Sequence, residues 1–387
     1  MPPFHLVWRN LLRRPLRSVL TVLSLAIAIF LLCGLRSIIT TLRAGVENAN
    51  PRRLDVLSAS GLFVELPLSY QAKLDQIPGV EMTTKFQWFG GYFRSMKNFF
   101  AQFAVDPETA FVMYPELKVP PEQLEALKQT RTGCIIGDGL AQKYNWKIGD
   151  TIPLIGALHP QPNDKAWDFL VVGIYHSTNP AIDNRTLYFR WDYFEETLKS
   201  GGVVPGVGVY ALRAKPDADI PQLIADVEGR FKDSEQRIQC ATEAEFQRQF
   251  QSMWGNMPVF LGSIGGGILI AILVACVNTL LMSMREQTSD VGVIKSIGYT
   301  DASVFGLFLA QASFLCLLGG GLGLLLAWIT QIPIARGLEA MFPGYAVRSD
   351  TFLMAAGVCL VLGPLAGLAP ALRARKLRCV EALRGAD

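Results

Sequence analysis

The residues best suited to chemistry in this chain are few and scattered. His159 and His176 stand in no metal-ligand spacing, and a surface or hydrogen-bonding role suits both better. Seven cysteines include no C-x-x-C pair. No serine sits in a G-x-S-x-G elbow, and the carboxylates do not single out an acid–base couple. No G-x-x-x-x-G-K-[ST] loop is present to cradle a nucleotide. No catalytic residue, metal site or cofactor is therefore expected in the chain itself. The chemistry these residues do suggest is recognition. The stretch REQTSDVGVIKSIGYTD, from Arg285 to Asp301, is a charged island between two long apolar runs, and it carries apolar residues of its own.

At 100° per residue, Val291, Val293, Ile294, Ile297 and Gly298 occupy about half of a helical wheel. Lys295 and Ser296 fill the other side. Thr288 or Ser289 can cap the start of such a helix, Gly298 can end it, and Thr300 can cap the helix that follows. An apolar face placed there must meet lipid headgroups or a protein groove, and helix-in-groove docking suits its size. Periodicity alone does not choose between the two.

The elements that must position this island are apolar. Ser18–Leu35, Pro258–Met284, Ala302–Ala335 and Thr351–Leu372 are almost free of charge, and each is long enough to span a hydrocarbon core as a helix. A basic flank before an apolar run also suits a signal peptide. No A-x-A site follows, so the first run is read as an uncleaved anchor. Arg9, Arg13, Arg14 and Arg17 precede the first span, and Arg373, Arg375, Lys376, Arg378 and Arg384 follow the fourth. Lys and Arg favour the cytoplasmic side, so both termini are expected there, in a bacterial inner membrane. Residues 41–255 hold 22 basic and 26 acidic side chains, and the remainder holds 14 and 7. The basic balance is thus a topology signal, and it argues against a nucleic-acid surface.

The expected layout is an α-helical membrane protein of four transmembrane helices, with a large α+β extracytoplasmic domain inserted between helices one and two. An amphipathic helix covers 1–15 and the spans cover 16–40, 256–284, 301–335 and 351–373. The outer domain covers 41–255, the island 285–300, a short outer loop 336–350 and a tail 374–387. Phe4, Val7, Trp8 and Leu11 recur at helical spacing, which fits a helix lying in the membrane interface as well as a plain topogenic flank. In the outer domain, Leu68–Ile77 and residues 219–233 read as helices. KFQWFGGYF, FFAQFAVD, FLVVGIYHS and VGVYALRA read as strands. Helix and strand at both ends with a β-richer middle suggest two α+β subdomains. The aromatic run from Phe86 to Phe93 is expected in the core. Cys134 and Cys240 suit two lone thiols better than a disulfide.

The runs Pro258–Met284, Ala302–Ala335 and Thr351–Leu372 within spans two to four hold no charged residue, which argues against a secondary transporter or ion pore. Gly262, Gly265 and Gly266, and again Gly319, Gly320 and Gly323, offer close helix packing. That packing serves contact between two copies of the chain or contact within one.

The segment MREQTSDVGVIKSIGYTDASVF resembles the coupling loop of ABC transporter permeases of the MacB/FtsX/LolCE superfamily, the type VII or mechanotransmission group. WRNLLRRPLRSVLTVLSLAIAI is similar to that family's N-terminus. CIIGDGLAQKYNWKIGDTIPL is similar to its periplasmic core. GLAPALRARKLRCVEALRG is similar to its ending, with Cys379 where a proline is common. The resemblance implies a dimer, homomeric or with a similar permease, that recruits a separate cytoplasmic ABC ATPase dimer. ATP and Mg would be bound by that partner. It implies that Val291, Gly292, Val293, Ile294, Lys295, Ile297 and Gly298 meet the ATPase, with Arg285 and Glu286 flanking the contact. The implied work is export or extraction of an amphiphilic substrate or lipoprotein, and control of a cell-wall hydrolase stays open. Lipids are expected around the spans, and a periplasmic adaptor and outer-membrane channel are candidate further partners. A membrane-anchored sensor or scaffold without an ATPase is the rival reading.

Overall fold

The computed structural model describes residues 15–377 except 163, 164, 178, 180, 181, 254, 339–341 and 343. The expected amphipathic helix over 1–15 and most of the tail over 374–387 lie outside the described residues.

The chain runs from α1 (Pro15–Glu47) through β1 (Arg53–Ser58), α2 (Tyr70–Leu74), β2 (Val80–Trp88), β3 (Gly91–Tyr92) and β4 (Gln102–Val105). It continues through α3 (Ala110–Met113), β5 (Leu117–Lys118), α4 (Pro121–Gln129), β6 (Gly133–Gly137), α5 (Asp138–Tyr144) and β7 (Thr151–Gly156). Next come β8 (Trp167–Ser177), β9 (Leu187–Arg190), α6 (Trp191–Ser200), β10 (Val209–Ala214), α7 (Ile220–Arg230) and β11 (Ile238–Thr242). The last stretch is α8 (Glu243–Ser252), α9 (Met257–Glu286), α10 (Thr288–Ser296), α11 (Asp301–Leu338) and α12 (Ser349–Lys376). Among the described residues α1, α9, α11 and α12 are the four helices long and apolar enough to cross a membrane. α1 runs seven residues past the expected end of the first span, because no proline intervenes before Pro51.

The helical unit is held by small residues and a shared apolar core. A Cβ on Gly319 would lie 2.5 Å from Leu25 Cβ, and one on Gly323 would lie 2.6 Å from the Ala26 carbonyl. α11 therefore meets α1 almost backbone to backbone, which only glycine permits. Gly363 plays the same part between α12 and α11, where its Cβ would lie 2.7 Å from Ser313 Cα. Leu25, Ile272, Cys276, Leu315, Cys316 and Leu362 close the space between the four helices.

Between α1 and α9 the chain forms a second compact unit. Among the described residues its strands make one sheet in the order β11-β1-β10-β2-β4-β9-β6-β8-β7-β3, with β5 pairing β8. The pairings are antiparallel except β4 with β9 and β6 with β8. β7 alternates exposed and buried residues along its length, the period of a strand with one wet face. Under this sheet Phe89 meets Trp167, Phe169 and Phe189 edge to face, with ring centroids 5.3, 5.8 and 5.5 Å away, while Trp167 and Phe169 stack at 6.2 Å.

Two expectations for this unit change. The two α+β subdomains share one continuous sheet, because the β4–β9 pairing joins the strands of both parts, and one core cluster runs beneath it. The helix expected over Leu68–Ile77 shortens to Tyr70–Leu74, flanked by turns that bond Tyr70 N–H to the Pro67 carbonyl and Ile77 N–H to that of Leu74. The aromatic run does enter the core at Phe89 and Phe93, while Phe86, Trp88 and Tyr92 are half-buried. Cys134 and Cys240 are separate buried thiols. The strand, helix and turn read in CIIGDGLAQKYNWKIGDTIPL are β6, α5 and the Gly149–Asp150 turn into β7.

Candidate coupling interface

The charged island folds as a short helix set between two spans. α9 does not stop at Met284 but continues through Arg285 and Glu286, so these two residues sit on the span rather than on the short helix. Gln287 is the hinge, its N–H bonded back to the Ser283 and Met284 carbonyls. Thr288 does not cap α10. Its hydroxyl donates back to the Arg285 carbonyl at 2.7 Å, since that orphan acceptor at the end of α9 is within closer reach. Gly298 does end the helix, at φ +101°, and Tyr299 N–H reaches the Ile294 carbonyl at 3.3 Å. Thr300 caps α11, accepting from Ser303 N–H at 3.3 Å.

The apolar half of the wheel divides between two tasks. Val291 is 2% exposed and packs with Met284, Val304, Phe308, Ala371 and Ala374 at one end of the helical unit. Ile294 is half-buried against the same cluster, and Gly292 is buried. Val293, Ile297 and Tyr299 are exposed, Ile297 at 72%. The short helix is thus anchored by one edge and presents the other. Ile294 lies between the two, half-covered by α11 and α12 and half open.

Lys295 was expected on the polar side and instead belongs to the anchor. Its ammonium donates to the carbonyls of Arg375 at 2.9 Å and Leu377 at 2.7 Å, and it lies 2.8 Å from Asp301 Oδ1. The first two acceptors are orphan carbonyls at the end of α12, where the helix dipole also favours a cation. Arg17 of α1 makes a two-pronged pair with Glu286 of α9, at 2.6 and 2.9 Å. Sequence spacing gave no sign of either partnership. The only signal was the placement of one charge at each helix end. Arg285 is exposed.

The glycines expected to pack helices also separate. Gly319, Gly320 and Gly323 meet α1 and α12 within the chain, with Gly320 against Cys359, and Gly265 lies beside Leu32. A Cβ on Gly262 or Gly266 would meet nothing within 4 Å. Among the described residues no group of His, Cys, Asp and Glu comes together as a metal site.

A family model described as MacB-like periplasmic core domain matches residues 18–230, and one described as FtsX-like permease C-terminal matches residues 262–378. The chain is an ABC transporter permease of the MacB/FtsX family. The permease is 23% identical to the uncharacterized ABC transporter permease MJ1507 of Methanocaldococcus jannaschii, in an alignment covering 98% of this chain and 96% of that one. It is 31% identical to the macrolide export ATP-binding/permease protein MacB of Chlorobium luteolum over 40% of this chain, and spans 23% of that longer protein. The crystal structure of the periplasmic region of MacB from Actinobacillus actinomycetemcomitans is 12% identical, covers 53% of the permease and 95% of that region, and has a TM-score of 0.39. Both matched segments adjoin or contain the elements built above. The FtsX-like match takes in α10 with its anchors, and the MacB-like match takes in β1 through β10.

Proposed function

We propose that the permease couples ATP hydrolysis by a separate cytoplasmic ABC ATPase to conformational work in its outer domain, moving an amphiphilic substrate or lipoprotein. The observation that carries this is the divided short helix. α10 is fastened to the ends of α9, α11 and α12, and it turns Val293, Ile297 and Tyr299 outward. An exposed apolar edge on a rigidly anchored helix is what a force-receiving contact needs. A flexible turn would absorb the push, and a wholly packed helix could not receive one.

The Lys and Arg excess at the ends of the spans supports a cytoplasmic position for this helix and for both termini, and hence an outer position for the domain between α1 and α9. A second copy of the chain is proposed against α9, where Gly262 and Gly266 meet nothing and Asn278, Ile270 and Val274 are exposed. An exposed asparagine within an apolar span is costly in lipid and finds a hydrogen-bond partner in a second helix.

The test is copurification of an ABC ATPase with the full chain carrying Ile297→Asp. The substitution places a charge on the exposed edge and leaves the anchor intact, so the ATPase should be lost while membrane insertion and monodispersity are kept. Normal copurification would remove the docking assignment. If the wild-type chain brings no ATPase at all, the sensor or scaffold reading takes its place.

A further inference from the structure

The chain comes into the inter-span domain from α1 and leaves it through α8, and a ladder of polar contacts joins these two stretches. Gln251 Nε2 donates to the Leu42 carbonyl at 2.8 Å. A Cβ on Gly45 would lie 3.8 Å from Gln247 Oε1. The Asn50 N–H donates to Glu243 Oε2 at 2.7 Å, and Arg53 Nε donates to the same oxygen at 3.0 Å. A capping box between Thr242 and Glu245 fixes the start of α8 where this ladder ends.

Arg53 is where the ladder meets the sheet. It is 1% exposed, and its guanidinium reaches three separate elements. Besides Glu243 it donates to the two carboxylate oxygens of Glu116 at 2.7 and 3.1 Å and to the Met113 carbonyl at 3.2 Å. It lies 4.3 Å over the ring of Tyr114. Met113 ends α3 and Glu116 lies in the turn between α3 and β5, and β5 is paired to β8, several strands away from β1. One planar fork therefore ties the incoming strand, the outgoing helix and a remote part of the sheet. A lysine could not do this, because its ammonium is a point charge with no fixed fork.

Asp55 lies two residues along β1 on the same face as Arg53 and is buried between Ala211 and Ala241 of the neighbouring strands. The charged and titratable groups around it are Arg53 of β1, Glu243 of α8, Cys240 of β11 and Tyr114 of the α3–β5 turn. Burial pushes its carboxyl up to about 7, Glu243 adds to the rise, and Arg53 opposes it. With Asp55 protonated, Arg53 faces two carboxylates rather than three.

We propose that Arg53 is a positioning residue that makes the incoming strand, the outgoing helix and the α3–β5 turn move as one body, so that displacement of the spans is passed into the sheet. This rests on the coupling role proposed above.

The test uses the full chain in nanodiscs with its copurifying ABC ATPase, and reads hydrogen exchange with and without ATP and vanadate. Arg53→Lys keeps the charge and removes the fork, and Glu116→Gln removes one arm from the more accessible side should the first variant fold poorly. Each should raise exchange about tenfold in residues 110–118 and 243–252 while β6 and β8 stay protected. Each should also abolish the ATP–vanadate response of the outer domain with ATPase binding retained. Faster exchange with the response intact would make Arg53 merely structural and overturn the proposal, as would unchanged exchange in both variants. A wild-type chain that binds the ATPase but shows no response would remove the coupling reading itself, and this proposal with it.

Discussion

Arg17 and Glu286 hold each other through two parallel hydrogen bonds of 2.6 and 2.9 Å, joining the start of the first span to the end of the second. Both side chains are 25% exposed, so the pair is screened and its energy is modest despite good geometry. Arg17→Gln or Glu286→Gln should each cost about 0.5–1 kcal/mol. The charge swap Arg17→Glu with Glu286→Arg should recover most of the loss. Thermal unfolding in one detergent of the wild type, both single variants, the Arg17→Gln/Glu286→Gln double variant and the swap gives the cycle, and a double loss equal to the sum of the singles with no recovery in the swap would show that the pair contributes nothing.

Lys295→Met should loosen the junction between α10 and α12. It leaves the Arg375 and Leu377 carbonyls without their donor and Asp301 without its cation. The expected cost is about 0.5–1.5 kcal/mol, the net worth of an ordinary hydrogen bond, since water can reach the part-buried Leu377 carbonyl and the exposed Arg375 carbonyl. Hydrogen exchange of residues 288–296 should speed up in the variant, and an unchanged pattern would mean that the tether carries no load.

Ile294 and Ile297 should part company. Ile294→Ala removes packing from the cluster beneath α10 and should lower stability by about 1–2 kcal/mol, less than for a fully buried isoleucine because the side chain is only half covered. Ile297→Ala, at 72% exposure, should leave stability within about 0.5 kcal/mol. Equal melting shifts for the two would contradict the division of the helix into an anchored and a presented edge.

Gly323→Leu should damage the fold, because its side chain would strike the Ala26 carbonyl and Ile29 across the α11–α1 contact. Gly262→Leu meets open space and should leave the single chain intact while weakening self-association. Light scattering of the detergent-solubilised chain separates these outcomes. A dimer untouched by Gly262→Leu together with Gly266→Leu would place the second copy elsewhere.

Acid should stabilise the inter-span domain through Asp55. Its carboxyl stands at about 7 in the folded chain against an ordinary 3.8, so the folded state keeps a proton that the unfolded state has released. The contribution is most favourable at and below about pH 4, falls as pH rises through the window, and levels off above about pH 7. Three units correspond to a loss of up to about 4 kcal/mol across that range. Urea unfolding of the full chain at several pH values, compared with Asp55→Asn, isolates the effect. A wild-type-minus-variant difference that is flat or of opposite slope would sink it.

Much of the architecture is legible in the sequence, and the reasons are local. An uncharged run long enough to span the hydrocarbon has few alternatives to a helix. The strands Trp167–Ser177 and Val209–Ala214, and the turn at Gly149–Asp150, are likewise specified by residues within a few positions of one another. The start of α10 is not legible at Thr288, whose hydroxyl has the Met284 and Arg285 carbonyls within reach as competing acceptors. The two expected subdomains became one sheet because β4 pairs with β9, a partnership between distant segments that no short pattern encodes.

Hydrophobic run length, charge asymmetry and helical period belong to the chain alone. They were enough to set the four spans, the inserted α+β domain and the presence of a short helix after Arg285. Which face of that helix is packed, which glycines touch a neighbour and which carboxylates surround Arg53 were decided only by tertiary structure. Each depends on groups far apart in sequence that meet only when the elements dock, and burial then changes what each charge or methyl group contributes.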